Sequence, residues 1–140
     1  MIEKMKDLIE NFDGLLSESV EIAAKNPFEL EHEIANVLIC GMGGSGIGGE
    51  ITKLLAAPYA PIPIETNHGY SIPSFVNEKT LVIACSYSGN TEETLSAVEL
   101  AIKKGALIAG VTSGGKLQKI LNGINAHTVL VPGGLPPRAA

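Results

Sequence analysis

The chain reads as a three-layer, doubly wound α/β domain, with a five-stranded parallel sheet and helices on both faces. Three observations predict it. Short apolar runs bounded by glycine or proline recur along the sequence, segments with helical spacing separate them, and a 45% apolar content in 140 residues suffices for one core. Strands that alternate with helices at such intervals imply right-handed crossovers and therefore a parallel sheet covered on both sides.

Taken in order, Leu8, Ile9, Phe12, Leu15 and Leu16 recur at helical spacing, and Val20, Ile22 and Ala23 continue the pattern after a break near Asp13-Gly14. Residues 1–35 are expected to form an amino-terminal helical segment packing on a domain that spans residues 36–140. Asn36-Val-Leu-Ile-Cys40 is apolar enough for a strand buried on both faces, and it runs into glycine. Glu50 to Ala57 has helical character, and Pro58, Pro61 and Pro63 frame a second strand over Ile62 to Glu65. Thr80-Leu-Val-Ile-Ala-Cys85 is the third strand, followed by a helix from about Thr91 to Lys103 that Gly105 stops. Ala106 to Val111, Lys116 to Leu121 and His127 to Val131 complete the set as strand, helix and strand.

A net charge of −5 with no lysine or arginine cluster argues against a nucleic-acid surface, and no basic amphipathic helix suggests a lipid surface. No stretch reaches the roughly 18 apolar residues of a membrane span, and the polar start lacks a secretory core, so a cytoplasmic protein is expected. Cys40 and Cys85 each end an apolar run and read as buried thiols rather than a disulfide. Neither has a second Cys or His at metal-ligand spacing.

Chemistry concentrates in two stretches that follow strands. Gly41-Met-Gly-Gly-Ser-Gly-Ile-Gly-Gly49 lets the main chain approach a ligand closely, so that amides at a helix start and the Ser45 hydroxyl can hold a phosphate or carboxylate. Some of these glycines also serve close helix–strand packing. Gly41, Gly43 and Gly46 satisfy the dinucleotide fingerprint as well, with Glu65 at the end of the second strand, which keeps a nicotinamide enzyme as a rival. Ser86-Tyr-Ser-Gly-Asn-Thr-Glu-Glu-Thr94 favours a monoester instead. Ser86, Ser88 and Thr91 can converge on one anion across a turn at Gly89, where a helix start adds partial positive charge. The plainer alternative is that Thr91 with Glu92 to Thr94 is only a well-capped helix.

The second stretch resembles the phosphate-binding signature of sugar isomerase (SIS) domains, whose sheet is of the flavodoxin-like type. Together with Gly41 to Gly49 and Pro132-Gly-Gly-Leu-Pro-Pro-Arg-Ala-Ala140, it resembles the amino-terminal half of bifunctional phosphoglucose/phosphomannose isomerases. The resemblance implies that Gly44, Ser45, Ser86, Ser88 and Thr91 hold the phosphate of a sugar 6-phosphate. It implies that Arg138 stands near the reacting carbons, where a fixed cation stabilises an enediolate. It further implies interconversion of glucose 6-phosphate or mannose 6-phosphate with fructose 6-phosphate through a cis-enediol, without metal or organic cofactor, in a homodimer. In that family the general base and the ring-opening histidine belong to a second SIS domain. These 140 residues lack one, so this chain alone is expected to bind sugar phosphates and not to isomerise them. A stand-alone sugar-phosphate-binding or regulatory module is the alternative. His68 has no evident carboxylate partner in the sequence and reads as a surface histidine; His32 and His127 read as structural.

Overall fold

The computed structural model of the protein describes residues 2–135. Arg138, the expected catalytic cation, lies outside the described residues. The elements run α1 (Ile2–Glu10), α2 (Phe12–Lys25), β1 (Asn36–Cys40), α3 (Gly43–Ala56), β2 (Ile64–Asn67), β3 (Thr80–Ser86), α4 (Glu92–Lys103), β4 (Leu107–Thr112), α5 (Gly115–Gly123) and β5 (His127–Leu130). The five strands form one sheet in the order β2-β1-β3-β4-β5, and every pairing is parallel. That order reverses direction between β1 and β3, the switch point at which sheets of this type receive ligands beyond their carboxyl ends.

Alternate residues of each central strand serve opposite layers, as a period of two requires. Leu38 and Cys40 of β1, with Val82 and Ala84 of β3, pack with Ala97, Val98 and Ala101 of α4 and Leu117 and Leu121 of α5. Leu38, Val82, Val98, Leu117 and Leu121 are fully buried there. Gly110 of β4 faces Leu121 so closely that a methyl group would run into the leucine side chain. The opposite layer contains α3, where Gly49 lies against Ile39; a β-carbon on Gly49 would sit 3.0 Å from the isoleucine Cγ2. Helices α1 and α2 share a cleft with Ile39, Ile83 and Val111, and neither helix has a buried residue.

Several boundaries differ from the sequence-based expectation for identifiable reasons. The amino-terminal helix breaks at Asn11 and not near Asp13-Gly14; Gly14 is helical, and its missing β-carbon leaves room for the Asn11 side chain, which one would meet at 2.6 Å. Most of the glycine-rich stretch is not a loop, since α3 begins at Gly43 and turns through Gly46 and Gly49. Helix propensity alone would not place five glycines there. Packing does, because the bare faces of Gly46 and Gly49 admit His68 and Ile39. Strand β2 begins two residues later than expected, which puts Glu65 inside the strand and in an ion pair with Lys53 at 2.8 Å. The acid required by the dinucleotide reading is therefore neither at the strand end nor free. Gly105 ends α4 as expected, with φ +75°, and the Ala106 amide reaches back to the Ala101 carbonyl at 3.1 Å.

Candidate functional site

Parallel register aligns Cys40 of β1 with Ala84 of β3, so the two chemistry-bearing segments leave the sheet side by side at the switch point. The first leaves through Gly41, whose amide bonds to the Asn67 carbonyl at 3.1 Å, and enters α3 after Met42, whose side chain does not cap the helix. Gly43 takes φ +55°, a conformation that glycine adopts without strain. Among the described residues no hydrogen bond is made by the amides of Gly43, Gly44 or Ser45 to residues before the helix; that set begins with Gly46 to Met42 at 3.1 Å. Such a helix start presents unpaired donors and partial positive charge.

The second segment turns between Ser86 and Thr91. Gly89 holds φ +69°, and its amide donates to Ser86 Oγ at 3.1 Å. The Ser86 and Thr91 hydroxyls lie 2.9 Å apart, although five residues separate them. Thr91 occupies the N-cap position of α4 yet makes no side-chain cap hydrogen bond. A threonine there ordinarily satisfies a first-turn amide. Here its hydroxyl is turned to Ser86 instead, so Thr91 does not cap α4 through its side chain.

The phosphate-binding residues expected from sequence are only partly brought together. Gly44, Ser45 and Ser86 line one cleft of about 1020 Å³, most of whose remaining wall is apolar and contributed by α1, α2 and the sheet. Thr91 joins through Ser86. Ser88 does not touch that pair; it is exposed, and its Oγ accepts the Asn90 amide at 3.1 Å. Tyr87 between them has a clear structural task. Its hydroxyl donates to the Pro132 carbonyl at 3.1 Å and accepts the Leu135 amide at 2.8 Å, which ties the segment after β5 to the hydroxyl-rich turn. A third turn supports the second: Asn90 Oδ1 accepts the Lys116 amide at 3.0 Å, and the Leu117 amide bonds to the Gly89 carbonyl at 2.8 Å.

One neighbouring group contradicts its sequence-based reading. His68 has a carboxylate partner, Glu50 of α3, whose Oε1 lies 2.9 Å from Nε2. Its Nδ1 lies 2.7 Å from the Gly41 carbonyl oxygen, and the hydrogen bonds to Glu50 and Gly41 raise the pKa of the ring above the usual histidine value. Glu50 is shifted downward, first by the Thr66 hydroxyl and then by His68. The partner was missed because Glu50 and His68 are 18 residues apart and meet only when β2 lies beside β1. His127 is structural as expected, with its ring against Phe28 at 4.8 Å between centroids. Both cysteines are free, Cys40 buried as expected and Cys85 only half-buried. Burial pushes Cys40 up to about 12, opposed by a hydrogen bond with Asn67, and pushes Cys85 up to about 11.

No family model matches the chain. It is 41% identical over 137 residues to the bifunctional phosphoglucose/phosphomannose isomerase of Caldicellulosiruptor bescii, covering 97% of this chain and 40% of that protein. Identity reaches 51% over 106 residues with the protein of the same description from Thermoplasma acidophilum, covering 76% of this chain and 32% of that one. The chain thus spans two-fifths or less of the length of these relatives. The solved structure of tagatose-6-phosphate ketose/aldose isomerase from Escherichia coli has the same fold, with a TM-score of 0.61 at 24% identity over 88% of this chain and 35% of that one.

Proposed function

The chain carries a sugar isomerase (SIS) domain of the kind found in bifunctional phosphoglucose/phosphomannose isomerases, and on that premise we propose that it anchors the phosphate of a sugar 6-phosphate. Gly44, Ser45, Ser86, Ser88 and Thr91 are the proposed phosphate ligands. The complete protein would interconvert glucose 6-phosphate or mannose 6-phosphate with fructose 6-phosphate through a cis-enediol. One observation carries the reading: at the switch point the Thr91 hydroxyl is withheld from capping α4 and paired with Ser86, while the first-turn amides of α3 start alongside. The Ser86 hydroxyl and the α3 start on one cleft, with Thr91 hydrogen-bonded to Ser86, suit a compact dianion, which needs several donors from different directions.

Ser88 enters this scheme by exchanging its present Asn90 contact for a phosphate oxygen. Arg138 is proposed, on resemblance alone, as the cation beside the enediolate. Anchoring the phosphate contributes to catalysis as well as affinity, because binding energy from a remote group can orient the reacting carbons. Residues 36–140 form the proposed SIS domain, with residues 1–35 as a helical cover. A cytoplasmic homodimer is the proposed working form, supported by the exposed Ile9, Phe12, Leu16 and Val20 of the amino-terminal helices.

A coupled assay of fructose 6-phosphate formation tests the division of labour. The 140-residue chain is expected to bind glucose 6-phosphate and to show no turnover, since the resemblance assigns the general base to a second SIS domain. Robust turnover by this chain would overturn that division. Tight NAD binding that sugar 6-phosphates fail to displace would overturn the phosphosugar reading itself.

A further inference from the structure

The ion pair behind the glycine turn has no part in holding phosphate directly. His68 Nδ1 lies 2.7 Å from the Gly41 carbonyl oxygen and Nε2 lies 2.9 Å from Glu50 Oε1. The same carboxylate oxygen accepts the Thr66 hydroxyl at 2.5 Å. A carbonyl and an ionised carboxylate can only accept, whereas a neutral imidazole carries a single N–H. Donating to both acceptors at once requires a proton on each nitrogen, and the same two contacts raise the pKa of the ring. The ring packs on the bare face of Gly46, where a β-carbon would stand 2.9 Å from both the Gly41 oxygen and His68 Nδ1. Glu50 is the charged group that touches the ring. Lys53 follows one turn later on α3 and is held by Glu65 of β2 at 2.8 Å. With both nitrogens engaged, His68 has none free to exchange a proton with a substrate, and its task is positional.

We propose that His68, kept as an imidazolium by Glu50, is a positioning residue for the anion site. It fixes the Gly41 peptide and offsets the negative charge of Glu50 close to the first turn of α3. The proposal rests on the phosphosugar reading of that turn, and it makes affinity depend on the protonation of a group that does not touch the ligand.

The test is calorimetric titration of the 140-residue chain, and of its His68→Asn and Glu50→Gln variants, with glucose 6-phosphate between pH 5.5 and 9. The ligand's own second ionisation, near pH 6, affects all three alike, so the ratio of affinities is the readout. At pH 6 the parent should bind about 3- to 10-fold more tightly than His68→Asn, the range expected for one hydrogen-bonded contact. The ratio should fall toward one as pH rises through the titration of His68, and Glu50→Gln should move that fall to lower pH. A ratio that stays constant with pH, or a Glu50→Gln profile that matches the parent, would reduce His68 to a purely structural part and overturn the proposal. Nitrogen-15 spectra of the ligand-free parent provide a second readout. They should show both ring nitrogens protonated at pH 6 and the Gly43 and Gly44 amides moving with the ring as it titrates; a neutral single-tautomer ring at pH 6 would overturn the proposal. If no sugar phosphate binds at any pH, the phosphosugar reading falls and the spectra alone decide the state of His68. If His68→Asn fails to fold, Glu50→Gln and the spectra carry the test.

Discussion

Replacing Gly89 by alanine should damage this domain far more than the same change at Gly48, although both glycines belong to the segments that form the site. Gly89 holds φ +69°, and a β-carbon there would run into the Gly114 carbonyl and approach Thr112 Oγ1 to 2.9 Å. The obstacle is backbone, and it is tethered: the Ser113 amide bonds to the Tyr87 carbonyl at 3.0 Å, and the Leu117 amide bonds to the Gly89 carbonyl at 2.8 Å. The left-handed conformation costs alanine about 1–2 kcal/mol, and moving the facing turn gives up at least one hydrogen bond worth about 1 kcal/mol. Gly89→Ala should therefore lose about 2–3 kcal/mol and about 7–10 °C in Tm for a chain of this size. Gly48, in contrast, is an exposed helical residue, and its added β-carbon would meet nothing within 4 Å. Gly48→Ala should gain about 0.5–1 kcal/mol from helix propensity. Thermal melts followed by circular dichroism, with urea titrations for the free energies, compare the two directly. Equal Tm changes, or a Gly89→Ala protein that melts with the parent, would refute the turn geometry from which the site is built.

Ser86→Ala and Thr91→Val should each weaken glucose 6-phosphate binding by about 5- to 10-fold, and the double variant should lose less than their product because the two hydroxyls share a hydrogen bond at 2.9 Å; strict additivity in calorimetry would count against their acting together. The Glu50–His68 pair should stabilise the fold most between about pH 4.5 and 6.5. Glu50, shifted downward, contributes above its unfolded value and loses that contribution as pH falls through its folded one. His68, shifted upward, contributes fully below its unfolded value and loses it as pH rises through its folded one. The Tm difference between the parent and Glu50→Gln should accordingly shrink at both ends of a pH series, and a flat difference would contradict the pairing. With thiols raised to about 12 and about 11, Cys40 and Cys85 should react with a disulfide reagent at pH 7.5 more slowly in the native chain than in urea, buried Cys40 the slower of the two; equal rates would contradict the upward shifts.

The sheet was legible because its strands obey local rules. Asn36–Cys40 is an uninterrupted apolar run, and both its bounds coincide with β1. Gly105 marked the end of α4 through a conformation that glycine takes without strain. The start of α3 was not legible, because a run with glycine at 43, 44, 46, 48 and 49 violates helix propensity and only tertiary contacts with Ile39 and His68 make it helical. The pairing of Glu50 with His68 was hidden for a related reason: it depends on which strand lies next to β1, and strand order is not written in periodicity. Hydroxyl spacing around Gly89 groups Ser86, Ser88 and Thr91, and of these only Ser86 and Thr91 pair. That Thr91 would decline its cap and that Ser88 would turn to the Asn90 amide are properties of a folded turn, beyond the reach of residue types.

Nitrogen-15 spectra of the chain titrated with glucose 6-phosphate test the central claim most directly, since they report where an anion binds without requiring turnover. The largest and saturable shifts should fall on the amides of Gly43, Gly44 and Ser45 and on those from Ser86 to Thr94, with inorganic phosphate competing for the same positions. Shifts confined to other surfaces, or none in either segment at millimolar ligand, would contradict the account.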